Sequence, residues 1–205
     1  MGSAPNKSLK IGADPFPPYQ YYDNGVLRGS DYERVKSAGE KAGFDLEFFI
    51  DDWAAIERRF EQKTLDAVFQ LPKTPEREQK YHFSKLLRTG ATEVVAANGA
   101  IDIAGISDIQ SKGYLLGVAE GVSYGAAVQA LSDESKVVYS DNEKLLIAVA
   151  GQAVDFGIFD RGVKAFLAEK LSLSNIRAIE ALTFNRELFI AFNDPAIRDA
   201  FDRYL

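Results

Sequence analysis

Along the chain, short apolar runs with strand spacing alternate with longer stretches at helical spacing. Leu9-Lys10-Ile11-Gly12-Ala13 reads as a strand that runs into a proline-rich turn, Asp14 to Tyr19. Asn24-Gly25 predicts a hairpin-like turn. Residues 31–42 predict a helix with Tyr32, Val35, Ala38 and Ala42 on one face and Gly43 as its stop. Leu46 to Ile50 reads as a strand. Trp53 to Phe60 reads as a helix, with Trp53, Ile56 and Phe60 at i, i+3 and i+7. Asp66 to Phe69 is a short buried strand. Thr74 caps a helix that has Pro75 at its first position, and Glu93 to Ala97 is a further strand.

Asn98-Gly99 interrupts this pattern, which then starts over. Strands are expected at 114–118, 137–139, 154–159, 176–179 and 188–192. Helices are expected up to about Leu131, from a capping box at Ser140-Asp141-Asn142-Glu143 through Ala150, over 160–170 and over 194–205. Such alternation implies an α/β fold with a parallel-rich sheet, and the restart implies two lobes of similar size. Residues 1–7 are set aside as an expression-derived tail. The first lobe takes 8–97 and 186–205, and the second takes 98–185. Hinge strands are expected near Ala96–Asn98 and Phe184–Leu188. Ligands of open α/β sheets sit beyond the carboxyl ends of the strands, so two lobes predict a cleft that closes about a hinge.

Composition removes several classes of chemistry. There are 24 Lys and Arg against 30 Asp and Glu, a net charge of −6, which is not the basic excess of a nucleic-acid binder. Cysteine is absent, which excludes disulfides, thiolate metal sites and cysteine nucleophiles. His82 is the sole histidine and reads as a packed or surface residue. No P-loop, dinucleotide fingerprint or nucleophile elbow occurs. No metal and no cofactor are expected. Asp51-Asp52 reads as a solvated strand end.

Five segments resemble a known family. Ile11-Gly12-Ala13-Asp14 with Pro17-Pro18-Tyr19 is similar to that family's first strand and turn, and Gly25 to Asp31 to its approach to the first helix. Leu65 to Val68, then Thr74-Pro75-Glu76-Arg77 with His82-Phe83-Ser84, are similar to its central strand and the helix after it. Val118 to Tyr124 and Val154 to Asp160 are similar to its second-lobe turn and strand. The order and spacing resemble type 2 periplasmic solute-binding proteins of the polar amino-acid family, over residues 9–193. The resemblance implies a two-lobed, periplasmic-binding-protein-like type II fold with a hinge and an interlobe cleft. It also implies a non-enzymatic, extracytoplasmic role.

Within that resemblance Arg77 would hold a ligand carboxylate, because a guanidinium fork matches a carboxylate in two parallel hydrogen bonds. Its alternative is a solvated helix arginine beside Glu76 and Glu78. Asp160 would take a ligand ammonium, and it also suits the N-cap of the next helix. Asp14 is a second anion, with turn chemistry beside Pro15 as its alternative. The turn Gly121, Val122 and Ser123 would supply an anion site at a helix N-terminus. Phe16 and Trp53 are candidate walls, Trp53 competing with packing against Ile56. Phe16 is preferred to Tyr19, which follows Pro-Pro and is expected in the core.

The departures from the pattern are Phe69-Gln70-Leu71-Pro72-Lys73, where small hydroxylated residues are usual, Lys85 where an Asp is usual, and a short C-terminal segment. Gln70 therefore joins the candidate ligand contacts. The expected function is binding of a small amino-acid-like or carboxylate ligand for ABC import, by a monomer with a membrane permease as partner. The alternative is the sensing domain of a membrane receptor, a histidine kinase or diguanylate cyclase. A cyclohexadienyl-dehydratase-like enzyme, with Glu120 or Asp160 as proton donor, is the reading of a different class.

Overall fold

The computed structural model describes residues 7–120, 122 and 124–205. The chain opens with β1 (Lys7–Ala13), and a hairpin of β2 (Tyr21–Asp23) and β3 (Val26–Arg28) follows. Asn24 and Gly25 both take positive φ at its tip, as a tight two-residue turn requires. Next come α1 (Ser30–Lys41), β4 (Phe44–Ile50), α2 (Trp53–Glu61), β5 (Ala67–Leu71), α3 (Pro75–Lys80), β6 (His82–Phe83) and β7 (Arg88–Ala97). The second half holds α4 (Ser107–Ser111), β8 (Leu116–Ala119), α5 (Ala126–Gln129), β9 (Lys136–Tyr139), α6 (Asn142–Ala150), β10 (Phe156–Asp160) and α7 (Arg161–Lys170). β11 (Ile176–Phe192) and α8 (Pro195–Phe201) complete the chain.

The chain divides into two compact units, Met1–Thr89 with Arg186–Leu205, and Gly90–Asn185. The first crossover falls inside β7, not at the Asn98-Gly99 turn, because the strand runs unbroken from one unit into the next. The two last strands expected at 176–179 and 188–192 are one 17-residue strand, β11, which likewise serves both units. The polar residues between them hid that continuity. The final helix is shorter than expected and ends at Phe201. The helix expected up to Leu131 is the single turn α5, and the residues before it include Gly121 and Ser123, which lie outside the described residues.

In the first unit β4 and β5 flank β1 as parallel neighbours, and β11 pairs antiparallel with β5. Both faces are covered. Leu9, Ile11, Ala13, Ala67, Phe69, Ile190 and Phe192 pack against Val35 and Ala38 of α1 and Ile197 and Phe201 of α8. Val68, Leu71, Phe189 and Ala191 pack against Ile56 and Phe60 of α2. Strict alternation would send Leu71 to the same face as Phe69. An irregularity in the β5–β11 register leaves Gln70 without a counterpart and returns Leu71 to the Val68 face. Gln70 has φ 64, the left-handed geometry such a bulge uses.

A buried ion pair secures the loop between β1 and β2. Arg88 Nε donates to both carboxylate oxygens of Asp31, at 3.2 and 3.0 Å, and its guanidinium lies 3.5 Å from the Tyr19 ring centroid. The Tyr19 carbonyl accepts from the backbone amides of Asp31 and Tyr32. Gly29, at φ 128, approaches so closely that a Cβ there would stand 2.1 Å from that carbonyl oxygen. Tyr19 is thus half-buried under a cation rather than in the core. Lys85 also acquires a role: its backbone amide and its Nζ both donate to Asp202, tying the strand edge to the C-terminal turn.

In the second unit β10 lies between β8 and β7, parallel to the first and antiparallel to the second, and β9 extends β8. Its core gathers Val94, Ala96, Ile109, Leu116, Phe156 and Ile158. Glu93 is buried on β7 and accepts from Arg161 Nε at 2.5 Å and Lys164 Nζ at 2.6 Å. Burial pushes its carboxyl up, but the bonds from Lys164 and Arg161 outweigh this and hold it below the ordinary range. The N-cap of α6 is Asp141, which accepts from the Lys144 amide, and not Ser140 as the capping-box spacing suggests. Ser140 Oγ instead donates to Asp141.

Removing one partner of a buried pair strands the other charge. Arg88→Leu is expected to lower the unfolding free energy by about 3–5 kcal/mol. Arg28→Leu, which breaks the exposed Arg28–Asp23 pair, should cost less than about 1 kcal/mol. Urea titrations of both variants check this; equal losses would remove the Asp31–Arg88 pair from its structural role.

Candidate functional site

Parallel strands of the first unit deliver their carboxyl ends to one edge. β1 and β5 run in register through Ile11↔Ala67 and Gly12↔Val68, so two further steps bring Asp14 level with Gln70. The chain leaving β4 turns at Asp51 and Asp52, whose carboxylates are used locally. Asp52 caps α2 by accepting from the Ala55 amide at 3.1 Å, and Asp51 accepts from the Asp52 amide. Trp53 is therefore the first residue of α2. After the Gln70 bulge, Thr74 caps α3 by accepting from the Arg77 amide at 3.3 Å, with Pro75 in the first turn as predicted.

Arg77 is half-buried. Its Nη1 donates to the Pro72 carbonyl at 3.2 Å, and its guanidinium carbon is 5.9 Å from the Trp53 ring centroid. The two side chains share a cavity of about 60 Å³ with Phe60, Leu71 and Tyr81. That volume holds a few waters and falls well short of the roughly 300 Å³ of a ligand pocket. Burial pushes the Tyr81 hydroxyl up, Glu61 and Glu57 add to this, and the Arg77 charge opposes it. Trp53 fills the packing role weighed for it, beside the Ile56–Phe60 cluster, and its ring also lies against the Arg77 guanidinium.

Asp14 is half-buried at the end of β1. Burial pushes its carboxyl above the ordinary range, while its own backbone amide and the charge of Arg186 draw it back. Gln20 is wholly buried beside it and donates from Nε2 to the Asp14 carbonyl at 3.0 Å and to Gln70 Oε1. Phe16 stacks on Tyr19 with centroids 5.9 Å apart. In the first unit, then, Asp14, Gln70, Trp53 and Arg77 all stand at strand ends or the helix starts that follow them. Gln20, Arg186 and the Arg88–Tyr19 contact were missed by sequence reasoning. Gln20 carries a usable signal, a lone amide directly after Pro-Pro-Tyr; Arg186 carries none.

In the second unit Asp160 ends β10 and caps α7. Its Oδ1 accepts from the Gly162 amide at 2.8 Å and from the Val163 amide at 3.3 Å. The capping role weighed for it is therefore filled. Of the turn at 121–123 only Val122 is described, and its amide donates to the Ala119 carbonyl at 3.4 Å. Gly121 and Ser123 lie outside the described residues. Glu120 is exposed, unlike the protected acid that a dehydratase needs. His82 is exposed on β6. Among the described residues no cluster of His, Asp and Glu could hold a metal ion, and no helix is long and apolar enough to cross a membrane.

These elements form a mixed α/β fold of the periplasmic-binding-protein type. An ancestral arginine-binding protein bound to arginine superposes with a TM-score of 0.80 at 19% identity, over 98% of this chain and 92% of the other. A histidine kinase sensor domain with similarity to periplasmic binding proteins gives 0.80 at 16%, over 97% and 89%. The chain belongs to the bacterial extracellular solute-binding proteins, family 3, whose model matches residues 9–205. Relatives include the Bacillus subtilis (strain 168) protein named probable amino-acid-binding protein YxeM, 24% identical over 87% of this chain and 69% of its own length. The arginine-binding extracellular protein ArtP of the same organism is 27% identical over 65% of this chain and 50% of its own length.

The contact between Arg77 and the single tryptophan can be read without any ligand. Arg77→Ala is expected to change the emission maximum or intensity of Trp53 while leaving the urea midpoint nearly in place. An unchanged spectrum would separate the two side chains.

Proposed function

We propose that the protein binds a small amino-acid-like or carboxylate ligand outside the cytoplasm, without chemical turnover, and delivers it to an ABC importer. Arg77 holds the ligand carboxylate through its guanidinium fork, and Trp53 and Phe16 cover the apolar stem. Asp160 of the second unit receives the ammonium, with Val122 and the neighbouring turn residues Gly121 and Ser123 assisting at the carboxylate. The observation that supports this most is Arg77 at the start of a Thr74-capped helix, on the same strand-end edge as Asp14 and Gln70. The names of its relatives, binding proteins rather than enzymes, support it too. On this reading the protein is a monomer whose partner is a membrane permease, and it works in the periplasm or at the cell exterior.

A second reading, as the sensing domain of a membrane receptor, is favoured by the fold match to a histidine kinase sensor domain. Both readings share the ligand chemistry. They part in cells: loss of labelled-ligand uptake on deletion of the gene supports delivery, and unchanged uptake supports sensing.

Calorimetry with L-amino acids tests the carboxylate clamp. Losing one partner of a buried, charge-assisted pair costs about 2–5 kcal/mol, so Arg77→Ala should weaken binding by roughly 30-fold or more. Arg77→Lys should also lose affinity, because a point charge cannot form the fork. Undiminished affinity in either variant would overturn the clamp.

A further inference from the structure

The edge that carries Asp14 also carries a cation that sequence reasoning does not single out. β11 pairs with β5 through Phe189↔Leu71, so continuing the antiparallel register sets Arg186 beyond the end of β5, on the carboxyl side. Asp14 reaches the same edge from β1. Arg186 lies close enough for its charge to pull on the Asp14 carboxyl, which burial would otherwise drive further up. Two amides stand beside the acid. Gln20 is wholly buried and bridges the Asp14 carbonyl and Gln70 Oε1, and Gln70 is turned out of the β5 ladder by its left-handed backbone. The corner therefore sets one anion, Asp14, and one cation, Arg186, beside the amides of Gln70 and the buried Gln20.

Such a corner opposes a ligand charge of either sign. A second cation on the ligand would meet Asp14 but also Arg186, and like-charge juxtaposition opposes binding strongly where water is scarce. A second carboxylate would meet Asp14. An uncharged hydroxyl or carboxamide can exchange hydrogen bonds with Gln70, which the buried Gln20 holds in place, and disturbs neither charge. We propose that Arg186 is a specificity-determining residue that makes the protein select amino acids with uncharged polar side chains and exclude those with cationic ones. This rests on the amino-acid-binding reading above and on no further assumption about transport or sensing.

Calorimetry with L-glutamine, L-asparagine, L-serine, L-glutamate, L-arginine and L-lysine tests it. At least one uncharged polar amino acid should bind the native protein about 100-fold more tightly than arginine or lysine. Arg186→Gln should reduce that ratio by at least about tenfold, by admitting the cationic ligands, and Arg186→Lys should preserve the exclusion. Asp14→Asn, which leaves Arg186 alone at the corner, should move preference toward glutamate. Native protein that prefers arginine, lysine or glutamate overturns the proposal while leaving amino-acid binding intact. So does a selectivity ratio unmoved by Arg186→Gln in a variant whose thermal unfolding shows it folded. Native protein that binds none of the six overturns the amino-acid-binding reading and this inference with it.

Discussion

A single unpaired residue in β5 fixes the edge on which the candidate site stands. Gln70 has no partner across from β11, and its left-handed backbone costs of order 1–2 kcal/mol in a residue that carries a Cβ. The return is visible in the packing. Leu71 is turned to the α2 face of the sheet, where it joins Ile56, Phe60 and Phe189. The side chain of Gln70 is freed to meet Gln20, and the chain is then aimed through Pro72 and Thr74 into α3, with Arg77 at its third position. Were Gln70 paired within the ladder instead, Leu71 would face α1 and α8, and every side chain after it would change sides.

The loop that faces this edge is held from the opposite direction. Asp31, at the start of α1, draws Arg88 onto the ring of Tyr19, and Gly29 lets the backbone close over the Tyr19 carbonyl. Phe16 and Gln20 are therefore carried on a loop fixed by a buried charge pair, an aromatic face and a close backbone approach. Function needs such support, because a binding group that wanders forfeits in ordering entropy what its contact supplies. In the second unit the same economy applies: Asp160 Oδ1 already caps α7, which fixes the carboxylate's orientation independently of any ligand. Glu93, buried between Arg161 and Lys164, anchors the start of α7 to β7.

Much of this was legible in the chain. The Leu9–Ala13 strand, the Asn24-Gly25 hairpin, the Thr74-Pro75 helix start and the Asp160 cap each follow from local rules about backbone geometry and capping, and the structure has them all. The family emerged from the order of these signals, and the match over residues 9–205 bears it out. What was not legible depends on partners distant in sequence. The Gln70 bulge arises only because β11 returns 119 residues later to pair with β5. The crossover within β7 and the continuity of β11 follow from strands shared between units, for which no local periodicity exists. Asp141 rather than Ser140 holds the cap because α6 starts at Asn142, which puts the Lys144 amide within reach of the Asp141 carboxylate, and Ser140 Oγ donates to that carboxylate instead. Nothing next to Arg186 in sequence distinguishes an arginine within a long strand from one in solvent.

The central proposal is that a ligand is recognised by its two α-substituents, with Arg77 proposed for the carboxylate and Asp160 for the ammonium. The most direct measurement is a calorimetric comparison on the unmodified protein. It takes the tightest-binding amino acid, its methyl ester, which removes the carboxylate charge, and its deaminated analogue, which removes the ammonium. The account predicts that each loses at least roughly 30-fold in affinity. An ester that binds as tightly as the free acid would contradict it.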